Sequence, residues 1–222
     1  MKLALFGASG RTGRRVLALA LARGDRVRAL VRGPASLTAH PSLEVRTGDA
    51  LDASAVSGTL KGTDAIVIAL GMRDIAAPST DFSDSVRNVV DSARSAGVRR
   101  IVAIASAGVL PDAAGGLRNR HGTSGPYRHV NAEHTRNYET LRDSGLDWTL
   151  MCPVDLKDDI PQGHARTMHE DLPAGGTETG YDDLAATMLA LIGERASYGK
   201  RIGIVSLREM GDASRSSRKP NS

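Results

Sequence analysis

Cysteine, aromatic residues and long hydrophobic runs are scarce in this chain of 222 residues, and each shortage excludes something. With a single cysteine, Cys152, no disulfide can form within the chain, which indicates a reducing compartment and predicts a cytoplasmic location. Aromatic residues make up 3% of the sequence, so the core must be built from Ala, Val, Leu and Ile. The stretch LALALA is bracketed by Arg14, Arg15 and Arg23 and is too short to cross a membrane, so no membrane association is predicted.

The chain carries a net positive charge, but its basic residues are not clustered in the sequence. The formal net charge is +4 and the isoelectric point is about 9.5. Segment 207–222 holds four basic residues against two acidic ones and therefore carries +2 of that charge. In residues 1–206 the arginines are scattered among acidic residues without interleaved aromatic residues, so nucleic-acid binding is not predicted. The polar, Ser-rich segment 207–222 is expected to be a disordered tail.

Short apolar runs alternate with helical patterns along the chain. Seven strand-like runs lie at 3–7, 26–31, 43–46, 65–70, 100–106, 147–152 and 201–206, and five helical patterns lie near 11–23, 52–60, 80–96, 128–144 and 181–194. Runs that are apolar on both faces and alternate with helices predict a parallel sheet covered on both sides. Right-handed crossovers then give a single α/β domain of the doubly wound Rossmann type over 1–206. Segments 107–126 and 153–180 are predicted as long loops that form substrate walls or a lid at the carboxyl edge of the sheet.

The turn after the first predicted strand is rich in glycine, with the spacing GxxGxxG. In a dinucleotide-binding turn, Gly7 would allow the tight bend, Gly10 would let a pyrophosphate approach the backbone, and Gly13 would let helix and strand pack closely. Three polar neighbours are further candidate contacts: Ser9, Arg11 and Thr12. The motif predicts dinucleotide binding, and a glycine-rich turn that binds nothing is the alternative.

The residue at the end of the second predicted strand bears on which dinucleotide binds. Sites that prefer NAD usually place an acidic residue there to bind the ribose 2′-hydroxyl, whereas this chain has Arg32. A guanidinium suits a 2′-phosphate, so NADP(H) is predicted, with an ordinary surface arginine as the alternative. After the third predicted strand, Asp49 and Leu51 are expected to contact the adenine, although Asp49 can equally cap a helix.

Several segments resemble one known family. They are GASGRTG, LVR, GDALD, ALGMR, VVDSARSAGVRRIVAIASAGV and LRDSGLDWTLMCP. Together they are similar to the atypical short-chain dehydrogenases/reductases, in particular the NAD(P)H-binding group of biliverdin-IXβ reductase (flavin reductase) and the NmrA-like proteins. This resemblance covers about residues 1–206 and implies a Rossmann fold with an NAD(P)H cofactor, which Gly71 and Arg73 of ALGMR would help to bind. The superfamily includes reductases, epimerases, cyclases and redox-sensing regulators, so the reaction stays open.

The resemblance also implies candidate catalytic residues. Ser106 stands at the position of the family's active-site serine, where its hydroxyl would bind a substrate carbonyl or a flavin edge; a serine that bonds backbone is the alternative. The Tyr-xxx-Lys pair that supplies the proton in typical members is replaced by Asn131 and Thr135. Tyr127 is a substitute acid, with a packing role as the alternative. Asp155 falls where the related reductases have a histidine; it would donate a proton if buried and otherwise anchor a substrate.

Three functions remain open from the sequence. The favoured one is an NADPH-dependent reductase that transfers hydride to a flavin, a quinone or a conjugated carbonyl compound. The others are a redox-neutral epimerase or cyclase, and a regulator that binds NADP(H) and signals through a protein partner. His129, Glu133 and His134 are further candidates on the helix near 128–144, but a lone helix histidine is more often structural. The six histidines lack metal-ligand spacing, so no metal site is predicted.

Overall fold

An eight-stranded sheet with helices on both faces forms the centre of the protein. The computed structural model describes residues 1–33, 37–72, 74–121, 125 and 127–207. Arg73 and the predicted tail beyond Leu207 therefore lie outside the described residues. Within those ranges, none of the helices is both long enough and apolar enough to cross a membrane.

The order of the elements along the chain alternates strand and helix over most of its length. The strands are β1 (Lys2–Phe6), β2 (Arg26–Val31), β3 (Leu43–Thr47), β4 (Ala65–Ile68), β5 (Arg100–Ile104), β6 (Asp147–Pro153), β7 (Asp155–Lys157), β8 (Ala165–His169), β9 (Glu178–Gly180) and β10 (Lys200–Ser206). The helices are α1 (Arg11–Ala22), α2 (Ala53–Leu60), α3 (Asp81–Ala96), α4 (Arg128–Arg142) and α5 (Tyr181–Leu191). All seven predicted strands and all five predicted helices are present.

The sheet has the strand order β3-β2-β1-β4-β5-β6-β10-β8. Its neighbours are parallel except for β8, which runs antiparallel to β10 at the edge. In the centre, Leu5 of β1 lies opposite Ala29 of β2 and Val67 of β4. The order reverses between β1 and β4, and ligands of such sheets bind at that point, outside the carboxyl ends of the strands. The predicted doubly wound fold is confirmed.

Two apolar layers cover the two faces of the sheet. Leu3 and Leu5 point to the layer that α1 and α5 supply, whereas Phe6 points to the layer that α2, α3 and α4 supply. Every residue of β4 is buried. A strand covered on both faces needs apolar residues at successive positions, which explains the continuous apolar runs of the sequence.

The segment 153–180, predicted as a loop, contains the three short strands β7, β8 and β9. The prediction that this segment lacks regular secondary structure is therefore wrong. β8 has no apolar run that would reveal it in the sequence, because four of its five residues are exposed at the edge of the sheet. At Gly203 of β10, a Cβ would lie 2.0 Å from the carbonyl oxygen of Asp171, and this close approach lets the chain turn back onto β10. The other predicted loop, 107–126, includes two short 3-10 turns, at Ala107–Val109 and Arg118–His121.

Candidate cofactor and active site

The glycine turn between β1 and α1 is tightly packed. Gly7 has φ of +88°, a conformation that glycine adopts readily, and a Cβ there would lie 2.3 Å from the carbonyl oxygen of Ala69. A Cβ at Gly13 would lie 2.0 Å from the carbonyl oxygen of Gly7. These two glycines therefore have structural roles, in the bend and in the packing of α1 on the turn.

Gly10 differs from both, because its missing side chain is not needed for packing. It adopts an extended conformation just before α1, and the nearest atom to an added Cβ is the carbonyl oxygen of Gly7, 3.3 Å away. The first N–H groups of an α-helix have no partner within the helix, and they favour negative charge at that end. The open backbone at Gly10 together with these N–H groups fits a pyrophosphate.

A cavity of about 310 Å³ adjoins this turn at the carboxyl edge of the sheet. Six of the predicted cofactor residues line it: Gly7, Ser9, Arg32, Asp49, Leu51 and Gly71. The Oδ1 of Asp49 accepts a hydrogen bond from the N–H of Leu51 at 3.1 Å, while the cap of α2 is Asp52. Leu51 is 43% exposed, which leaves an apolar surface for a flat ring. The cavity thus brings together residues from four separate strand ends.

Four of the predicted residues of the glycine turn are not among the residues that line this cavity: Gly10, Arg11, Thr12 and Gly13. Thr12 is buried. Arg11 points away toward α5, where its guanidinium lies 3.6 Å from Asp158 and 4.7 Å from the centre of the Tyr181 ring. Arg11 therefore joins the glycine turn to the segment after β6.

Ser106 lies two residues after β5 and immediately precedes the turn Ala107–Val109. Its Oγ is buried and has no hydrogen-bond partner among the described residues. A Cβ at Gly108 would lie 3.2 Å from that Oγ and 2.9 Å from the Cβ of Asn119, so Gly108 leaves room for both. Nearly all buried polar groups are paired, and an unpaired hydroxyl at a strand end needs a reason other than folding.

The positions of the missing Tyr-xxx-Lys pair face a second cavity of about 490 Å³ between α4 and segment 115–119. Asn119 connects them, since its Nδ2 donates to the carbonyl oxygen of Asn131 at 3.2 Å and to the Oγ1 of Thr135 at 2.9 Å. Tyr127, just before α4, is 61% exposed, which does not fit the alternative of a buried packing role. Neither Asn131 nor Thr135 supplies an acid.

Asp155 is on the surface. Its side chain is 69% exposed and its Oδ2 lies 2.7 Å from the Nζ of Lys157. Donation of a proton near neutral pH requires a carboxyl group to be desolvated, and this one is not. An anchoring role for Asp155 stays a prediction.

His134, a weaker candidate in the sequence, is not among the residues that line either cavity. Its Nδ1 is buried without a partner in the described part of the chain, and its ring meets Phe82 edge to face at 5.5 Å. Phe82 lines the 310 Å³ cavity, so the imidazole lies directly behind the cavity wall. Burial lowers the pKa of His134 to about 4, which keeps it neutral at pH 7. In the sequence, His134 directly follows Glu133 and stands three residues before Asn137. Both of these residues lie on the buried face of α4.

The other two helix candidates have local partners. Both carboxylate oxygens of Glu133 accept hydrogen bonds from Ser83, at 2.8 Å from its N–H and 2.9 Å from its Oγ. Glu133 is fully buried and also pairs with Arg136, so it ties α4 to α3. His129 accepts a hydrogen bond from Arg128 through its Nε2 at 2.9 Å.

One family model and several known proteins match most of the chain. The model, described as NAD(P)H-binding, matches residues 7–195. A chloroplastic protein of Arabidopsis thaliana is 29% identical over 212 residues, covering 89% of this chain and 74% of the plant protein. Two further curated relatives are longer, and the chain spans 51% and 33% of their lengths.

Two solved structures have the same fold at 25% sequence identity. ChuY, an anaerobillin reductase from Escherichia coli O157:H7, has a TM-score of 0.78 and matches 94% of this chain over 100% of its own. A candidate epimerase from Bacteroides thetaiotaomicron has a TM-score of 0.80, with 94% and 98% covered. A reductase and an epimerase belong to different reaction classes, so the likeness leaves the reaction open.

Proposed function

Since the chain belongs to the NAD(P)H-binding family, we propose that it is an NADPH-dependent reductase of the atypical short-chain dehydrogenase type. Its acceptor is a flavin, a quinone or a conjugated carbonyl compound. When bound, the nicotinamide supplies the hydride. The buried, unpaired hydroxyl of Ser106 carries this proposal, because it offers a donor at the carboxyl edge of the sheet that nothing in the described protein uses.

The choice of acceptor follows from how weak the candidate acids of the chain are. The imidazole of His134 is neutral at pH 7, Asp155 is exposed, and Asn131 and Thr135 carry no acidic proton. Flavins, quinones and enones delocalise the negative charge that hydride transfer creates. They therefore need orientation and one hydrogen bond more than a strong acid, and they take their proton from water.

Arg32 supports NADPH as the cofactor. It is exposed at the end of β2 and lines the 310 Å³ cavity with Asp49 and Leu51. A guanidinium in that place would pair with a 2′-phosphate, and the carboxylate usual for NAD would repel it. A reducing, cytoplasmic setting is part of the proposal, because the single cysteine, Cys152, can form no disulfide within the chain.

A regulator that binds NADP(H) and a protein partner is the second candidate. It is favoured by the replacement of the Tyr-xxx-Lys pair by Asn131 and Thr135, since a sensor needs no acid. An epimerase or cyclase is supported by the likeness to the candidate epimerase.

Oxidation of NADPH in the presence of a panel of flavins, quinones and enones tests the reductase. We expect NADPH absorbance to fall faster with the protein than without it for at least one acceptor. Rates equal to the blank across the panel, together with saturable NADPH binding, would contradict the reductase and favour the regulator.

Arg32→Ala is expected to remove the preference for NADPH. The wild type should bind NADPH more tightly than NADH by about 1–3 kcal/mol, roughly 5- to 150-fold, because one charge-assisted contact is lost with NADH. Calorimetric titration of both dinucleotides measures this difference. Arg26→Ala is the matched control, because Arg26 is exposed at the opposite end of the same strand. Equal affinities of the wild type for the two dinucleotides would refute the assignment.

A further inference from the structure

The corner that follows β8 is held in an unusual conformation. Glu170 has φ of +59°, and it is the single non-glycine residue with positive φ in the ranges that the structure describes. A side chain in this region strains the backbone, so the conformation persists only where surrounding contacts impose it. Such residues cluster at functional sites.

Both carboxylate oxygens of Glu170 accept hydrogen bonds from Arg201 of β10. Its Oε1 accepts from the backbone N–H of Arg201 at 2.8 Å, and its Oε2 accepts from Nε at 2.7 Å. The backbone N–H of Glu170 donates to the carbonyl oxygen of Arg201 at 2.8 Å. The side chain of Arg201 is 12% exposed and lies over the Tyr138 ring, 4.6 Å from its centre. The guanidinium is thus fixed on several sides.

The remaining end of that guanidinium reaches the turn Ala107–Val109, which directly follows Ser106. Nη1 of Arg201 donates to the carbonyl oxygen of Val109 at 2.9 Å. The N–H of Val109 in turn donates to the carbonyl oxygen of Ser106 at 3.1 Å. A continuous chain of hydrogen bonds therefore runs from Glu170 through Arg201 and Val109 to Ser106.

The residue next to Glu170 holds the same loop at a second place. Asp171 pairs with Arg118, whose Nε donates to the carbonyl oxygen of Pro111 at 3.1 Å. The corner at 170–171 thus restrains the loop after Ser106 at Val109 and at Pro111.

We propose that Glu170 and Arg201 are positioning residues that set the place of the Ser106 hydroxyl through Val109. This inference rests on the proposed function, in which Ser106 binds the acceptor. The hydroxyl has no hydrogen bond of its own in the described protein to hold it, so its place depends on the backbone turn that carries Ser106. A displacement of about 1 Å of a group that orients a substrate can cost about 100-fold in rate.

Glu170→Gln tests the proposal, because it keeps the size of the side chain and places an amide against the guanidinium. We expect kcat with the best acceptor to fall about 10- to 100-fold, with NADPH affinity unchanged. Glu44→Gln is the matched control. Glu44 also pairs with an arginine, Arg28, at 2.7 Å, but it lies on β3, at the opposite edge of the sheet from β8. An equal loss of kcat in both variants would overturn the proposal.

A double mutant separates positioning from general stabilisation. In a Ser106→Ala background, Glu170→Gln should cause no further loss of kcat, because the group that it positions is already gone. If Glu170→Gln lowered kcat in the Ser106→Ala background by the same factor as in the wild type, the proposal would be contradicted.

Arg201→Lys is a second variant in case Glu170→Gln does not fold. A lysine keeps the charge next to Glu170 but lacks the planar fork that also reaches Val109. Hydrogen exchange of the amides of residues 107–110 should be faster in both variants than in the wild type, and unchanged in Glu44→Gln. This measurement needs no turnover, so failure of the reductase proposal and failure of the positioning proposal are distinguishable. Unchanged exchange in both variants would overturn the latter.

Discussion

Gly10→Val is expected to abolish dinucleotide binding while the protein still folds. A Cβ at Gly10 meets nothing closer than the carbonyl oxygen of Gly7 at 3.3 Å, so a small shift accommodates it in the free protein. The added side chain projects from the cap of α1 into the place where the pyrophosphate approaches the helix N-terminus. Losing two charge-assisted hydrogen bonds of about 1.5 kcal/mol each weakens binding by roughly 100-fold or more. Fluorescence titration with NADPH measures the loss.

Gly13→Val is the informative comparison for that variant. Its Cβ would lie 2.0 Å from the carbonyl oxygen of Gly7. Relief of this overlap would require the backbone of the turn to shift, so we expect this variant to lose the fold. Circular dichroism of both proteins separates the two effects. A folded Gly10→Val protein that binds NADPH as tightly as the wild type would mean that the phosphate site lies elsewhere.

Ser106→Ala is expected to lower turnover by about 10- to 1000-fold, the range for removal of one oriented hydrogen-bond donor. Affinity for NADPH should hardly change, because in the proposed function the hydroxyl binds the acceptor and not the cofactor. No hydrogen bond within the described protein is lost, so the thermal stability should also be close to that of the wild type. Steady-state rates, NADPH titration and thermal unfolding measure the three quantities.

Ser95→Ala is the control for that variant, since Ser95 is exposed on α3 and its Oγ donates to the carbonyl oxygen of Asp91 at 3.0 Å. We expect it to leave turnover unchanged. If Ser106→Ala instead kept full turnover and lost several degrees of thermal stability, the hydroxyl would have a structural role and the reductase proposal would lose its main support.

The fold was predictable because each parallel strand is buried on both faces. That burial requires a continuous apolar run such as AIVI in β4, and the run is legible in the sequence. β8 was not predictable for the opposite reason: it is an exposed edge strand, and its residues ARTMH obey no apolar pattern. What holds β8 in place is its ladder to β10 and the backbone approach at Gly203.

The candidate cofactor site was predictable in part. Six of its predicted residues line one cavity because each lies within four residues of the end of a strand, and the carboxyl ends of parallel strands meet at one edge. Arg11 was also predicted to contact the cofactor, yet it lies against Asp158 and Tyr181. These partners are more than 140 positions away in the sequence, so no local sequence pattern predicts their contact with Arg11.

The sequence by itself determined the doubly wound sheet and the glycine turn, because burial on both faces and backbone conformation leave local traces in residue types. The tertiary structure alone decided which polar groups are partnered. It pairs Glu133 with Ser83 and Glu170 with Arg201, while it leaves the hydroxyl of Ser106 and the Nδ1 of His134 unpaired in the described chain. Pairing depends on distances between residues that are remote in sequence, and a single sequence carries no record of those distances.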